Sequence, residues 1–123
     1  MTIIEAINRI DSLRPNGYSQ SDKISWLSQL DGLIKKQIID THEGGEAIEF
    51  SGYTEKTPLD TLLLVDAPYD SVYLSWLEAN IDYVNGEYVR YNNTAARYNT
   101  DYSAFERYYN RTHMPLGKAL KFF

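Results

Sequence analysis

Apolar residues recur along the first third of the chain at helical spacing. Thr2 and Glu5 stand three apart, the spacing of a capping box in which each side chain satisfies a free backbone N–H at a helix start. Ile3, Ile7, Ile10 and Leu13 then share one face, which predicts a first helix. Arg14-Pro15-Asn16-Gly17 ends it, because proline supplies no N–H and Asn-Gly accepts the positive φ of a turn. A second helix is predicted from Ser19, with Asp22 at the same capping spacing. Its stripe of Ile24, Trp26, Leu27, Leu30, Leu33, Ile34, Ile38 and Ile39 is wide enough to meet more than one neighbour, and it should end near Thr41 or His42. From Glu43 to Ala67 the helical period is lost among three glycines and Pro58, apart from an alternation at Ala47 to Phe50 that predicts a short strand. A connection of this length in a small domain is expected to be a partner-facing or flexible arm rather than an ordered core loop. Leu62 to Val65 return the chain to the core, and Pro68 suits the first turn of another helix.

The remaining pattern is longer. Leu74, Leu77, Ile81, Val84, Tyr88, Tyr91, Ala95, Tyr98, Tyr102, Phe105 and Tyr109 follow one another at alternating separations of three and four, a continuous heptad seam. Its unbroken phase favours one long helix, straight or bent at Gly86. A break there is the alternative, since glycine costs a helix roughly 1 kcal/mol relative to alanine. The half before Gly86 has a second apolar face in Tyr69, Tyr73, Trp76 and Tyr83 and should be the core helix. The half after it has the seam alone and should project or pack on one side. Together these elements predict an all-α single domain over residues 1–123: two N-terminal helices, an irregular loop over 43–67, a long amphipathic C-terminal helix and a tail over 114–123.

Packing within the chain is the plain reading of the seam, but the first two helices are too short to cover it. Tyrosine buries a large ring while keeping its hydroxyl at a wet edge, which suits an assembled surface. Tyr88, Tyr91, Tyr98, Tyr102, Phe105 and Tyr109 are therefore candidate subunit or partner contacts. With Tyr88 at position a, Arg90, Arg97 and Arg111 fall on the c stripe, and Glu87, Asp101 and Glu106 flank the seam. A solvated face with weak local pairs such as Glu87 with Arg90 accounts for these charges. One acidic and one basic edge on the same helix would also let identical subunits pack head to tail into a ring.

Composition narrows the chemistry. The 123 residues carry a formal net charge of -5, which disfavours broad capture of nucleic acid or anionic membrane. There is no cysteine, so neither a disulfide framework nor a thiolate site exists, and a reducing compartment is expected. Acids among the apolar residues of MTIIEAINRIDSLRP argue against a signal peptide, and LLLV, the longest apolar run, is far too short to span a membrane. His42 with Glu43 and Glu46 could be drawn as a metal site only across flexible glycines. Asp22, Asp31 and Asp40 are spaced by nine and form no acid–base pair, and no phosphate loop, nucleophile elbow or HExxH occurs. The Asn92-Asn93-Thr94 and Asn110-Arg111-Thr112 sequons read as chance. No enzyme activity, cofactor or metal is expected.

The strings IEAINRIDSLRPNGYSQSDKISWLSQLDGLI and LLLVDAPYDSVYLSWLEANIDYVNGEYVRYNNTAARYNTDYSAFERYYNRTHMP resemble the head-to-tail connector, or adaptor, proteins of tailed bacteriophages and prophages of Gram-positive hosts. The resemblance covers nearly the whole chain and implies a helical virion subunit, assembled in the host cytoplasm. Such a subunit joins a ring beneath the portal, extends the DNA channel without specific DNA recognition, and offers a surface to the next head-completion or tail protein. It further implies a subunit monomeric until docked, and portal contact through the basic, apolar tail of Lys118, Leu120, Lys121, Phe122 and Phe123. The other reading of the same residues is a cytoplasmic helical-bundle regulator that binds a partner protein through the seam.

Overall fold

The structure, a computed structural model, describes residues 1–116. It is all-α: α1 (Ile3–Leu13), α2 (Gln20–Gln37), α3 (Ser71–Val84) and α4 (Tyr88–Thr112), with short 3-10 turns at Ile39–Thr41 and Gly45–Ala47. Both predicted caps form. Thr2 Oγ1 accepts from the Glu5 amide at 3.2 Å while Glu5 Oε1 accepts from the Thr2 amide at 3.2 Å, and Ser19 Oγ accepts from the Asp22 amide at 3.0 Å.

The core follows the predicted stripes except at Leu13 and Leu33, which are exposed. Ile3, Ala6, Ile7 and Ile10 of α1 meet Leu27, Leu30 and Ile34 of α2 and Val72, Tyr73, Leu77 and Ile81 of α3. Burial of each large aliphatic side chain here stabilises the fold by about 1.5–3 kcal/mol. The α3 helix is the hub, packed against α1, α2 and α4, as its two apolar faces require. By contrast, α4 buries only Thr94, Phe105 and Tyr109.

Two expectations are corrected. The seam does not run through one long helix; the alternative, a break at Gly86, holds. At Gly86 the chain reverses, so that Tyr83 meets Tyr91, Trp76 meets Tyr98 and Tyr69 meets Tyr108 in an antiparallel hairpin. Gly86 has φ 74°, its amide bonds to the Tyr83 carbonyl at 3.0 Å, and the Glu87 amide bonds to the Asp82 carbonyl at 3.0 Å. This is the paired closure of a helix by a left-handed glycine just past its cap. The heptad count survives because the connector stands in for about one turn: Val84 and Tyr88 are four apart, as they would be within a helix.

The segment 43–67 is likewise no free arm. Ile3 and Ile4 amides donate to the carbonyls of Thr61 (3.0 Å) and Leu59 (2.9 Å), and the Leu63 amide donates to the Met1 carbonyl at 3.0 Å. Leu63 and Val65 are buried. The alternation at Ala47 to Phe50 forms no strand; a 3-10 turn takes its start. What holds the arm is Asp31 on the inner face of α2. Its carboxylate accepts from Tyr53 Oη (2.5 Å), Tyr73 Oη (2.7 Å) and the Leu64 amide (3.1 Å), while Tyr73 Oη itself accepts from the Val65 amide at 2.7 Å. A side-chain acceptor on the helix thus satisfies a loop backbone that would otherwise be buried without partners.

Candidate docking surface

The outer sides of α3 and α4 enclose a groove of about 290 Å³, walled by Trp76, Tyr83, Tyr91 and Tyr98 with Ala79, Ala95, Asn80 and Asn99 between them. Trp76 and Tyr98 have ring centroids 4.9 Å apart, and Tyr83 and Tyr91 are 5.3 Å apart. The walls are fixed from behind: Trp76 Nε1 donates to the Trp26 carbonyl at 2.7 Å, and Tyr102 Oη donates to Gln37 Oε1 at 2.6 Å, tying α3 and α4 to α2. Desolvation, and next the neighbouring Tyr102, hold the Tyr98 phenol well above its ordinary pKa, so its hydroxyl stays a neutral donor.

At the hairpin turn the groove opens onto an apolar tip. Tyr83, Val84, Tyr88 and Val89 are 59%, 54%, 62% and 80% exposed, and Leu13 of α1 is 64% exposed. The tip is held rigidly. The Arg14 guanidinium pairs with the fully buried Asp82 carboxylate and with Glu87 at 2.7 Å, and Thr94 Oγ1 donates to Asp82 Oδ2 at 3.1 Å. The hydrogen bond to Asp82 outweighs desolvation and raises the Arg14 pKa further.

The candidate seam residues divide by position. Tyr88 lies on the tip, Tyr91 and Tyr98 line the groove, and Tyr102 is half-buried at the junction with α2. Phe105 and Tyr109, at 4% and 6% exposure, are instead covered from within the chain. The fold-back at Gly86 returns the end of α4 to the residues around Tyr69, where Phe105 packs. The charged edges are also partly used internally. Glu87 holds Arg14, Asp101 accepts from Ser75 Oγ at 2.8 Å, and Arg97 pairs with Glu78 at 3.4 Å. Arg90 approaches Glu87 at 3.5 Å with most of its side chain in solvent, and Arg111 is exposed. The tail residues Lys118, Leu120, Lys121, Phe122 and Phe123 lie outside the described residues.

His42 is turned inward, its Nε2 2.8 Å from Asn110 Oδ1 and its Nδ1 2.6 Å from the Ile38 carbonyl, so it does not face Glu43 and Glu46. Among the described residues, no helix is long and apolar enough to cross a membrane and no cluster of three acidic or histidine side chains could hold a metal ion. The groove and the hairpin tip were missed in the sequence because both depend on the reversal at Gly86. The signal that could have found them was Asn85-Gly86 read as a helix C-cap.

No protein family, curated protein or solved structure matches this chain.

Proposed function

We propose that this protein is a structural subunit that works by docking onto other proteins, and that it is a head-to-tail connector of a tailed bacteriophage. In this reading subunits form a ring beneath the portal protein, at the head-to-tail junction of the virion. DNA passes through the ring unread, and the next head-completion or tail protein binds below. The chain does no catalysis and needs no cofactor.

The observation that carries the docking role is the clustering of exposed apolar residues at one end of the molecule. Tyr83, Val84, Tyr88 and Val89 share the hairpin tip, continuous through Tyr83 with the aromatic groove. Such residues scattered singly are ordinary on a protein surface, whereas a contiguous apolar patch marks an interaction site. Arg90 beside the tip and Arg97 and Arg111 farther along α4 supply the charge that would set orientation between subunits. The connector assignment rests on the sequence resemblance, and the tail Lys118 to Phe123 is its proposed portal contact.

Electron microscopy of the chain mixed with the portal protein of the same genome tests the proposal. The expected result is a ring of this protein on one face of the portal. Absence of portal binding, with a discrete small complex formed on a different protein, would replace the connector reading.

A further inference from the structure

A second, smaller cavity lies away from the groove, where the chain entering α3 meets the last turns of α4. It has a volume of about 170 Å³ and is lined by Tyr69, Phe105, Tyr108, Tyr109, His113 and Asp66 among others. That is below the roughly 300 Å³ from which ordinary small-molecule pockets begin, so it suits one side chain or a very small ligand.

Its lining is unusual in three respects. The rings are mutually ordered: Tyr69 and Tyr108 stack with centroids 4.6 Å apart, and Tyr109 and His113 stack at 3.8 Å with planes 4° apart. Tyr109 is more than nine-tenths buried, yet its hydroxyl has no hydrogen-bond partner among the described residues. A buried hydroxyl in that condition costs about 1–3 kcal/mol unless something pairs with it. Asp66 at the rim forms no ion pair among the described residues, and Asp40 lies close enough for its charge to add to desolvation in raising the Tyr109 pKa.

Rings, a carboxylate and an orphaned phenol oxygen share one complement. Aromatic faces attract a cation through their quadrupole. A carboxylate fixes the sign of the guest. The unpaired phenol hydroxyl can accept as well as donate, so a guest that carries N–H can satisfy it through its oxygen. A neutral apolar guest would leave Tyr109 unpaired, an anion would meet Asp66, and a quaternary ammonium has no proton to give. We propose that this cavity takes up a primary alkylammonium group, the head of a lysine side chain or a small amine, which donates N–H to the Tyr109 hydroxyl oxygen with its charge toward Asp66. The site lies apart from the hairpin tip and the aromatic groove.

Titration of the full chain with n-butylammonium, followed by NMR shifts of Tyr109 and His113, tests it, with n-butanol and tetramethylammonium as comparison ligands. The expected result is saturable binding of n-butylammonium that n-butanol does not match by a factor of about ten, equivalent to about 1.4 kcal/mol. Asp66→Asn, at an exposed position, should weaken it about tenfold. Tyr109→Phe keeps the ring stack and should weaken n-butylammonium severalfold while leaving tetramethylammonium unchanged. Equal binding of n-butanol and n-butylammonium, or no shift at Tyr109 and His113, overturns the proposal in favour of a cavity that holds only water. The Lys118→Gln/Lys121→Gln chain separates the sources. Tighter n-butylammonium binding assigns the natural guest to the chain's own lysines, and unchanged binding assigns it to a free amine or to a lysine of another protein.

Discussion

Asp31 shows how much one residue organises. It is fully buried and pairs with no cation among the described residues, where two phenols and one amide are its hydrogen-bond partners. Desolvation is the largest influence and raises its pKa above the ordinary value of 3.8, against the three hydrogen bonds that lower it. A carboxyl whose folded pKa is raised binds its proton more readily folded than unfolded. Its protonation therefore contributes stability in full below 3.8, lost as pH rises through the folded value. In Asp31→Asn that titration disappears, so urea denaturation should show the wild-type advantage over the variant shrinking with rising pH across that window. At neutral pH the variant should still be less stable by about 1–3 kcal/mol, because one of the two accepting oxygens becomes an NH2 and either Tyr73 or the Tyr53 and Leu64 donors lose their acceptor. A variant as stable as the wild type at every pH would mean the arm is held by something else. The nine-residue spacing of Asp22, Asp31 and Asp40 concealed this role. The usable signal was the lone acid among Leu27, Leu30 and Ile34, on the face that the apolar stripe assigns to the core.

At the scale of elements, the helices were legible wherever local chemistry decides them. The caps at Thr2 and Ser19, the stop at Arg14-Pro15 and the width of the α2 stripe all act within a few residues. The direction of the chain after Val84 was not legible from the seam, since a seam records which residues face a partner and not whether the partner is another subunit or the same chain folded back. Gly86 settles it by experiment. In a continuous helix Gly86→Ala would stabilise by roughly 1 kcal/mol. In the hairpin, alanine at φ 74° is strained, and although an added Cβ meets nothing within 4 Å, stability should fall by about 1–2 kcal/mol. The sign in thermal or urea unfolding decides between them. Arg14→Ala should cost more, about 3 kcal/mol or above, because it leaves the buried Asp82 charge without its cation. Asp82→Asn combined with Arg14→Ala should recover part of that loss, and an additive double mutant would show that the pair is not coupled.

For the whole molecule, the decisive fact is that the stable and the sticky residues are segregated. The isoleucines and leucines of α1 and α2, with Tyr73, Leu77 and Ile81 of α3, hold the fold, while the hairpin tip and groove present aromatics to solvent. The proposed docking should therefore be separable from folding. Val89 and Tyr88 are the most exposed large apolar residues of the hairpin; they open the first turn of α4 beside its N-cap Glu87, where an added acidic side chain suits the helix dipole, so replacing them should change stability by only about 0.5 kcal/mol. Tyr88→Ser with Val89→Asp should thus keep the circular dichroism and melting temperature close to wild type. The same change puts a carboxylate at the middle of the proposed contact, where an unpaired charge must be desolvated, so docking should weaken by about 2 kcal/mol or more, some thirtyfold. Reversal of Arg90 and Arg97 to glutamate offers the contrast. Among the described residues Arg97 pairs with the largely buried Glu78, so reversal sets two carboxylates together and should cost folding about 1 kcal/mol while leaving the helices intact, and association should slow and lose its salt dependence. Co-sedimentation with portal rings and size-exclusion chromatography of the free chain give the two readouts. If the Tyr88/Val89 variant binds the portal and its own copies undiminished, the tip is not the docking surface and the aromatic hairpin serves the fold alone.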